Sequence, residues 1–482
     1  MNQQISRETL SRIDKLFMDR QGTSPAESLL RREQHGLEVL VGDDLATSPG
    51  LQLALLTAIN LGAKCFGGQV VVYASTDAWL SRCLVPAMQG VTLNEAVSAL
   101  GGTTIIHEWP MSDRRHLLLG SAPESAKSLR VTFDGWCLAV GPADDLPRMA
   151  EQDASPLASI AAAAIGVSEI FAEFAGLRIT AARQVVTLSL WRPDLLVTDQ
   201  QAQGSPIHEL PEAIGAFGLG HLGQAYMWAI ASLPFADAGK VKILLCDDDK
   251  VETANIETGA LLTRAKLGQL KTRVTAQWLE ARGFSTRLVE RRVDGSFRRT
   301  DREPLIALSG FDDNQARQWL SEAGFALIFD SGLGGEVANF DTIAYRAWPN
   351  LRSASELWPL ESARERSDRE LRKLQDVTSN DAYRGLETDE CGRIQIAGAS
   401  IAVPFVGAVA ACVVIAEMLK RVNGGPAFDE MKVRLCTLGS TQPNARLISG
   451  TSIALRGLAL QAARQDGKGV GCLLSDDLRR TK

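Results

Sequence analysis

The sequence has little histidine, no excess of positive charge and no closely paired cysteines. Its five histidines form no recognisable Ser-His-Asp motif, so a hydrolase of that type has no support. The net charge of −6 argues against a general nucleic-acid-binding protein, which would normally be basic. The eight cysteines include no C-x-x-C pair, which excludes a structural zinc site built from two such pairs and fits a reducing cytoplasm.

The chain also lacks a signal-like N-terminus and an uninterrupted apolar run of membrane length. Its first residues, "MNQQISRETLSRIDKLF", are polar and predict a helix from about Ser6 to Arg20. The longest apolar run, at 401–420, contains Pro404 and Gly407 and ends in charged residues, which predicts a buried helix. We therefore expect a cytoplasmic protein with no membrane segment.

A length of 482 residues is enough for two or three domains. Each half begins with a strand, a helix and a second strand, and a polar segment containing Gly and Pro separates the halves. We predict an N-terminal helical segment (1–30), a first domain (31–197), a linker (198–210) and a second domain (211–482) with a charged insertion at about 334–400.

Two Ala-rich helical stretches indicate a faint internal repeat. Pro156 and Glu169 are 13 positions apart, and so are Pro404 and Glu417. Together with the β-α-β start of each half, this spacing indicates two related halves. The sequence therefore predicts an α/β protein with two Rossmann-like halves, each a mostly parallel sheet flanked by helices.

The second half contains the glycine run "AFGLGHLGQA" at 216–225. Gly218, Gly220 and Gly223 form a G-x-G-x-x-G pattern between an apolar strand and a helix. Such a run is either a plain turn or a loop that brings backbone N–H groups to a phosphate at the helix N-terminus. We interpret His221, within the run, as a residue at the helix start.

Acidic and amide residues follow the next strand, "KVKILLCDDD". They form a D-x-D-x-V-E-x-x-N pattern consisting of Asp247, Asp249, Val251, Glu252 and Asn255. An acidic side chain at this strand end can hold ribose hydroxyls. A dinucleotide-dependent oxidoreductase needs little more than these two motifs.

Two later motifs favour an adenylating enzyme over an oxidoreductase. "LGQLK" places Lys271 after a turn, and "GFDDNQAR" supplies Asp313, Asn314 and Arg317 after another apolar strand. An adenylating enzyme needs a cation for the triphosphate and a carboxylate for Mg²⁺.

The four motifs, in this order, resemble the ThiF-type family, which includes the ubiquitin-activating enzymes and the adenylating enzymes of thiamine and molybdopterin synthesis. The resemblance covers residues 214–330 in detail. The first half has no glycine motif, so the resemblance implies an inactive N-terminal and an active C-terminal ThiF-type half. It further implies ATP and Mg²⁺ as cofactors.

The resemblance also implies roles for individual residues. The backbone of the three glycines would approach the nucleotide, Asp247 would hold the ribose, and Asp313 would hold Mg²⁺. Asn255 and Lys271 would contact phosphates. The implied cofactor-binding residues are Gly218, Gly220, Gly223, Asp247, Asp249, Asn255, Lys271, Asp313 and Asn314.

One position departs from the family pattern. Thr258 stands where the family has an arginine three residues after the motif asparagine. We expect another arginine to replace it, either from the same half or from the N-terminal helix of a partner subunit, and we therefore expect a homodimer. The candidates are Arg264, Arg273, Arg317, Arg7, Arg12 and Arg20.

Ubiquitin-activating enzymes also carry a catalytic cysteine that accepts the activated protein as a thioester. Cys391 follows the charged insertion and is our candidate, whereas Cys246 and Cys412 lie in apolar segments and are interpreted as structural. The resemblance implies activation of a ubiquitin-like protein with a C-terminal glycine, followed by transfer to a conjugating enzyme.

The setting implied by this resemblance is a bacterial conjugation system, of which some are antiviral. Three other functions stay open. They are a sulfur-carrier adenylyltransferase that forms no thioester, an NAD-dependent oxidoreductase, and an inactive scaffold.

Overall fold

The structure is a computed structural model. It describes residues 6, 8–67, 69–106, 113–151, 155–447 and 457–464. Two large sheets, one from each half of the chain, lie on either side of a shared layer of helices.

The first half forms a seven-stranded sheet. Its helices are α1 (Asp14–Gln21), α2 (Pro25–Glu33), α3 (Pro49–Cys65), α4 (Thr76–Leu80), α5 (Leu93–Ala99) and α6 (Pro156–Phe174). Its strands are β1 (Leu37–Val41), β2 (Val70–Ala74), β3 (Gly102–Ile106), β4 (His116–Leu119), β5 (Ser128–Asp134), β6 (Cys137–Pro142) and β7 (Val186–Ser189). The order is β3-β2-β1-β4-β5-β6-β7, parallel as far as β5 and antiparallel beyond it.

The second half forms an eight-stranded sheet and a small two-stranded one. Its helices are α7 (His221–Ala231), α8 (Thr253–Ile256), α9 (Lys271–Glu280), α10 (Asn314–Ser321), α11 (Ala354–Leu357), α12 (Ala363–Ser379), α13 (Asp381–Arg384), α14 (Glu390–Ala397) and α15 (Pro404–Val422). Its strands are β8 (Glu209–Pro211), β9 (Ala213–Phe217), β10 (Lys242–Cys246), β11 (Ser285–Val289), β12 (Ile306–Ser309), β13 (Leu327–Leu333), β14 (Thr342–Trp348), β15 (Phe428–Arg434), β16 (Asn444–Leu447) and β17 (Leu460–Ala462). The large sheet has the order β11-β10-β9-β12-β13-β14-β15-β16, and β17 pairs with β8.

The two large sheets repeat the same topology, which confirms the predicted pair of Rossmann-like α/β halves. In each sheet the first five strands of the spatial order are parallel and the later ones are antiparallel. The long apolar helix of each half, α6 or α15, is followed along the chain by the strand that is seventh in that order, β7 or β15. The two repeated glutamates have the same role, because each accepts a hydrogen bond from a backbone N–H group that follows its helix in the chain. Glu169 accepts from Ala182 at 2.8 Å, and Glu417 accepts from Phe428 at 3.0 Å.

The helical layer between the sheets joins the halves. Helix α6 packs against α3 and α15, and α15 packs against α7. Helix α15 is buried around its circumference, as the sequence predicts for 401–420. Within the described residues, α6 is the one helix long and apolar enough to cross a membrane, and 89% of its apolar window is buried inside the protein.

The N-terminal helix is shorter than the sequence predicts, since α1 begins at Asp14 and not near Ser6. The chain before α1 runs to the second half, where the Glu8 carbonyl accepts a hydrogen bond from Ala254 N–H at 2.8 Å. These residues therefore serve a contact between the halves and do not continue the helix.

Helix α1 also packs against the long connection between β14 and α15, which contains α11 to α14. The Lys15 ammonium donates to the Tyr383 hydroxyl at 2.8 Å, and the Asn380 amide donates to the Met18 carbonyl at 2.9 Å. The N-terminal segment thus lies between the first sheet and the connection that carries Cys391.

Candidate functional site

The glycine run forms the loop between β9 and α7, as predicted. Gly218 has φ of +79°, a conformation that favours glycine. A Cβ on Gly223 would lie 2.1 Å from the Gly218 carbonyl oxygen, so helix α7 begins close to the loop only because residue 223 is glycine. A Cβ on Gly220 would meet no atom within 4 Å, which leaves open space before the helix N-terminus, where an anion is favoured.

Asp247, at the end of β10, holds this loop in place. Its two carboxylate oxygens accept backbone N–H bonds from Leu219 at 2.6 Å and from Asp249 at 2.7 Å. Burial raises the pKa of Asp247, although the nearby ammonium of Lys271 opposes the shift. The predicted ribose ligand is therefore also a structural anchor of the glycine loop.

Lys271 opens helix α9 and faces the same loop. Its side chain is buried, and its ammonium forms an ion pair with the Asp249 carboxylate at 2.8 Å. Its backbone N–H donates to the Asp249 carbonyl at 3.0 Å. A buried cation is thus held beside the glycine loop by an exposed carboxylate.

The segment around α8 supplies Asn255 and Thr258. The Asn255 side-chain oxygen accepts the Glu252 N–H at 2.9 Å and so caps α8. Thr258, in the place of the family arginine, is buried and lines the pocket. Arg12 of the same chain lines this pocket as well, so an arginine of the N-terminal segment reaches the site in cis.

The other arginines considered as replacements lie in different surroundings. Arg273 pairs with a glutamate beyond β11, and Arg20 donates to the first half of the chain. Arg264 is exposed and outside the pocket lining, and Arg7 lies outside the described residues. Arg317 lines the pocket, but its guanidinium donates hydrogen bonds to Asp330 and Asn314 of the protein itself.

Helix α10 begins with the predicted Mg²⁺ ligand. Asp313 is exposed on the pocket and caps α10, accepting the Gln315 N–H at 2.9 Å through one carboxylate oxygen. Asn314 is turned away from the pocket, because its amide donates to the Pro359 carbonyl at 2.8 Å and its oxygen accepts from Arg317 at 2.7 Å. Asn314 therefore contacts the protein in this structure, and its contact with a nucleotide stays a prediction.

Asp330 was not identified from the sequence, yet it organises this end of the sheet. It is fully buried in β13 and accepts hydrogen bonds from Arg317 at 2.9 Å, Ser309 at 2.7 Å and Trp358 at 3.0 Å. A buried carboxylate is tolerated when it is paired and hydrogen-bonded in this way. A lone Asp within the apolar stretch "LIFDSG" was the available signal.

These groups surround a pocket of about 450 Å³ at the carboxyl edge of the second sheet. Gly223 is outside the pocket lining. The other two predicted glycines and the predicted charged groups lie together at one end of the pocket. The lining there includes Arg12, Gly218, Gly220, Asp247, Asp249, Asn255, Lys271 and Asp313. Arg291 and Arg292, which the sequence analysis did not single out, also line it.

The other end of the pocket, the apolar slot, has a mostly apolar lining. It is formed by the end of β13 and by the segment that crosses above it before α15, where Ile401 N–H donates to the Gly335 carbonyl at 2.8 Å. Its lining is Gly332, Leu333, Gly334, Phe340, Ser400, Ile401, Ala402, Val403 and Val406. The pocket thus joins a charged end to an apolar slot.

The donor groups at the charged end fit Mg²⁺. Asp247, Asp248 and Asp249 have carboxylate oxygens within 4.8 Å of one another, and Asp313 lines the same pocket. Carboxylate oxygens together with phosphate oxygens are the usual ligands of this ion.

His221 opens helix α7, as interpreted from the sequence. Its ring packs on helix α15, where a Cβ at Gly407 would lie 2.3 Å from the ring nitrogen Nε2. Burial lowers the pKa of His221 to about 4, so the imidazole is neutral near pH 7. His221 therefore packs between two helix N-termini, and it also lines the pocket.

Among the seven cysteines in the described residues, Cys391 is the exposed one. It lies in the first turn of α14, not in a loop, and outside the pocket lining. Cys246 and Cys412 are buried, and burial raises the pKa of the Cys246 thiol to about 12. Cys436 is half-buried with its pKa raised to about 11, mainly by burial, and Cys472 lies outside the described residues.

Two Rossmann-type sheets in one chain, one of them with a glycine-loop pocket, define an α/β protein with two related halves. The chain belongs to the BilD family of bacterial E1-like proteins. The BilD N-terminal domain matches residues 36–190, and the BilD C-terminal domain matches residues 210–425. The bacterial E1-like protein BilD of Collimonas sp. (strain OK412) is 34% identical over 450 residues, which are 91% of this chain and 94% of that protein.

Solved structures with a similar fold are more distant. The crystal structure of E. coli MccB matches 50% of this chain at 13% identity, with a TM-score of 0.34. The chain spans 64% of MccB, less than two thirds of that protein's length. TcdA (CsdL) matches 44% of this chain and 86% of its own at 14% identity, with a TM-score of 0.28.

Proposed function

We propose that the protein activates the C-terminal carboxylate of a ubiquitin-like carrier protein by ATP-dependent adenylation and then holds the carrier as a thioester on Cys391. A conjugating enzyme would receive the carrier from this thioester. The observation that carries the proposal is the two-ended pocket of the second half, in which a glycine loop, Lys271 and Asp313 face the start of an apolar slot.

The charged end suits the triphosphate of ATP. The open space at Gly220 and the N-terminus of α7 favour phosphate oxygens, while Lys271 and Arg12 supply positive charge. Asp313, with the Asp247–Asp249 group, would hold Mg²⁺, which neutralises phosphate charge when bound. In the proposed reaction a carboxylate oxygen of the carrier attacks the α-phosphorus, and pyrophosphate leaves.

The apolar end suits an extended peptide tail. Gly332 and Gly334 line the slot, and Ile401 crosses above it, tied to Gly335. A tail ending in glycine would lie flat there with its carboxylate toward the charged end. The slot therefore favours a carrier protein over the compact substrate of an oxidoreductase.

The thioester step is supported by the exposure of Cys391. Its thiolate would attack the carbonyl carbon of the acyl-adenylate, AMP would leave, and the thiol proton would pass to solvent or to a nearby base. Because Cys391 lies outside the pocket lining, the step requires movement of the connection between β14 and α15.

The first half is proposed to be the inactive copy. At the strand ends that correspond to the glycine loop, the Asp44 carboxylate accepts the Ser121 N–H and hydroxyl, each at 3.0 Å. Arg148 forms an ion pair with Asp44, and a Cβ on Gly42 would lie 2.4 Å from the Ser121 nitrogen. The Asp44 carboxylate lies where the glycine loop stands in the second half, and its negative charge opposes binding of a polyphosphate there.

The homodimer remains a prediction. The reason given for it was a missing arginine, and Arg12 of the same chain supplies one. Light scattering on the purified protein tests the dimer directly, and a monomer that adenylates its carrier would contradict it.

ATP–pyrophosphate exchange in the presence of a carrier protein tests the adenylation. Lys271→Ala and Asp313→Ala should each lower the exchange rate about 100- to 1000-fold, the usual effect of removing one electrostatic contact from a transition state. Lys240→Ala is a suitable control, because Lys240 is an exposed lysine that lies outside the pocket lining. Full exchange activity in both pocket variants would contradict the assignment.

A further inference from the structure

The N-terminal segment enters the proposed ATP site through a buried ionic cluster. We propose that Arg32 and Glu257 are positioning residues that hold Arg12 in the pocket, so that a clamp between the two halves replaces the arginine missing at Thr258. This inference rests on the proposed adenylation. Three separate segments, which contain Arg12, Arg32 and Glu257, would together orient one guanidinium group.

Glu257 is the anchor on the second half. It lies two residues after Asn255, and its two carboxylate oxygens have different partners in the first half. One accepts a hydrogen bond from the Ser11 hydroxyl, and the other pairs with Arg32 at 2.9 Å. The motif segment at α8 is therefore tied to the residue immediately before Arg12.

Arg32 is the anchor on the first half. Its side chain is fully buried in helix α2, and it pairs with Asp14 at 2.8 Å as well as with Glu257. Burial lowers the pKa of Arg32, but the Glu257 and Asp14 carboxylates together raise it by more, so Arg32 stays charged. Ser11 and Asp14 flank Arg12 by one and two residues, so the backbone of Arg12 is fixed on both sides.

Further contacts hold the same two segments together. The Lys64 ammonium of α3 donates to the Ile256 carbonyl at 2.9 Å and to the Leu262 carbonyl at 3.1 Å. Glu8, four residues before Arg12, accepts a hydrogen bond through its carbonyl from Ala254 N–H at 2.8 Å. Residues 254–262 are thus held on one side by the first half, while Thr258 of this stretch faces the pocket beside Arg12.

Stability alone does not account for this cluster. A buried ion pair gains little net stability over well-packed apolar side chains, because desolvation of the charges offsets their attraction. What such a pair does supply is a fixed geometry. The only pocket-lining cation among residues 8–14 is Arg12, which is the group whose geometry the cluster fixes.

A double-mutant cycle on the full-length protein tests the clamp. The variants are Arg12→Ala, Glu257→Ala and the two combined, and the readouts are ATP·Mg²⁺ affinity, carrier-dependent exchange rate and thermal unfolding midpoint. Arg12→Ala should lower the exchange rate about 100-fold. Glu257→Ala should lower it about 10-fold or more, since misplacing a catalytic group by about 1 Å is enough. In the Arg12→Ala background, Glu257→Ala should cost less than about 2-fold.

Two further variants separate positioning from a general loss of stability. Glu257→Gln keeps the size of the side chain; its amide oxygen can accept from Arg32 while its NH2 group donates to the Ser11 hydroxyl oxygen, so it should recover part of the activity lost in Glu257→Ala. Glu430→Ala is the matched control, because Glu430 is likewise held by two partners, Arg352 and Arg446, has a side chain 25% exposed against 26% for Glu257, and lies outside the pocket lining. It should exchange at the wild-type rate.

The outcomes also separate the clamp from the function on which it rests. Losses that multiply in the double variant, or wild-type exchange in Glu257→Ala, would overturn the clamp. If Arg12→Ala has no effect while Lys271→Ala abolishes exchange, the clamp is wrong and adenylation stands. A wild-type protein that binds no ATP·Mg²⁺ would overturn both proposals.

Discussion

Alanine substitutions at Gly220 and Gly223 should separate loss of nucleotide binding from loss of stability. A Cβ at 220 meets no atom within 4 Å, and φ at this position is negative, at −77° with ψ at −145°. We expect Gly220→Ala to change the free energy of unfolding by less than about 1 kcal/mol. Its methyl group would take up space in front of α7, where overpacking by about 1–3 kcal/mol would weaken ATP binding about 5- to 150-fold.

Gly223→Ala should behave in the opposite way. Its Cβ would lie 2.1 Å from the Gly218 carbonyl oxygen, so the loop or the helix must shift. Such strain costs about 1–3 kcal/mol, against a gain in helix propensity of at most about 1 kcal/mol. Urea unfolding followed by tryptophan fluorescence measures stability, and a fluorescent ATP analogue measures binding. Wild-type ATP affinity in Gly220→Ala, or wild-type stability in Gly223→Ala, would refute the reasoning.

Two further predictions concern the thiol and the response to acid. Cys391→Ala should keep carrier-dependent ATP–pyrophosphate exchange and lose the thiol-sensitive carrier adduct on a non-reducing gel. If the adduct survives in Cys391→Ala and vanishes in a variant of Cys436 or Cys472, that other cysteine is the acceptor. If no cysteine variant affects the adduct, the result favours adenylation alone. Burial lowers the pKa of His35 to about 4. As the pH falls from about 6.5 toward about 4, the unfolded chain therefore binds a proton at this histidine and the folded chain does not, so the free energy of unfolding should fall over this range. His35→Phe keeps the ring that stacks on Phe174 at 4.4 Å and should reduce the acid sensitivity measured by urea unfolding; an unchanged pH slope would contradict this assignment.

The central strands of both sheets could be predicted because their apolar residues are continuous. The edge strands β3 and β11 were not recognised, since most of their residues are exposed or half-buried and carry polar side chains such as those in "STRLV". The internal repeat was visible in two helices because Glu169 and Glu417 have the same role: each lies in a buried helix and accepts a backbone N–H from the chain that follows the helix.

Much of the charged end of the pocket was also predictable. The carboxyl ends of parallel strands meet at one sheet edge, so the motifs after β9, β10 and β12 had to converge there. The position of Arg12 was not predictable, because it depends on contacts of Ser11 and Arg32 with Glu257, more than 200 positions away in the chain. Asn314 shows the limit of a motif, since the same residue type can serve the protein's own hydrogen bonds.

Mass spectrometry of a carrier protein incubated with this protein, ATP and Mg²⁺ tests the central claim most directly. The account predicts a carrier that gains one AMP through its C-terminal carboxylate. The adduct should be absent when the carrier's C-terminus is amidated or when Lys271 is replaced by alanine. An unmodified carrier with the wild-type protein, or AMP on the amidated carrier, would contradict the claim.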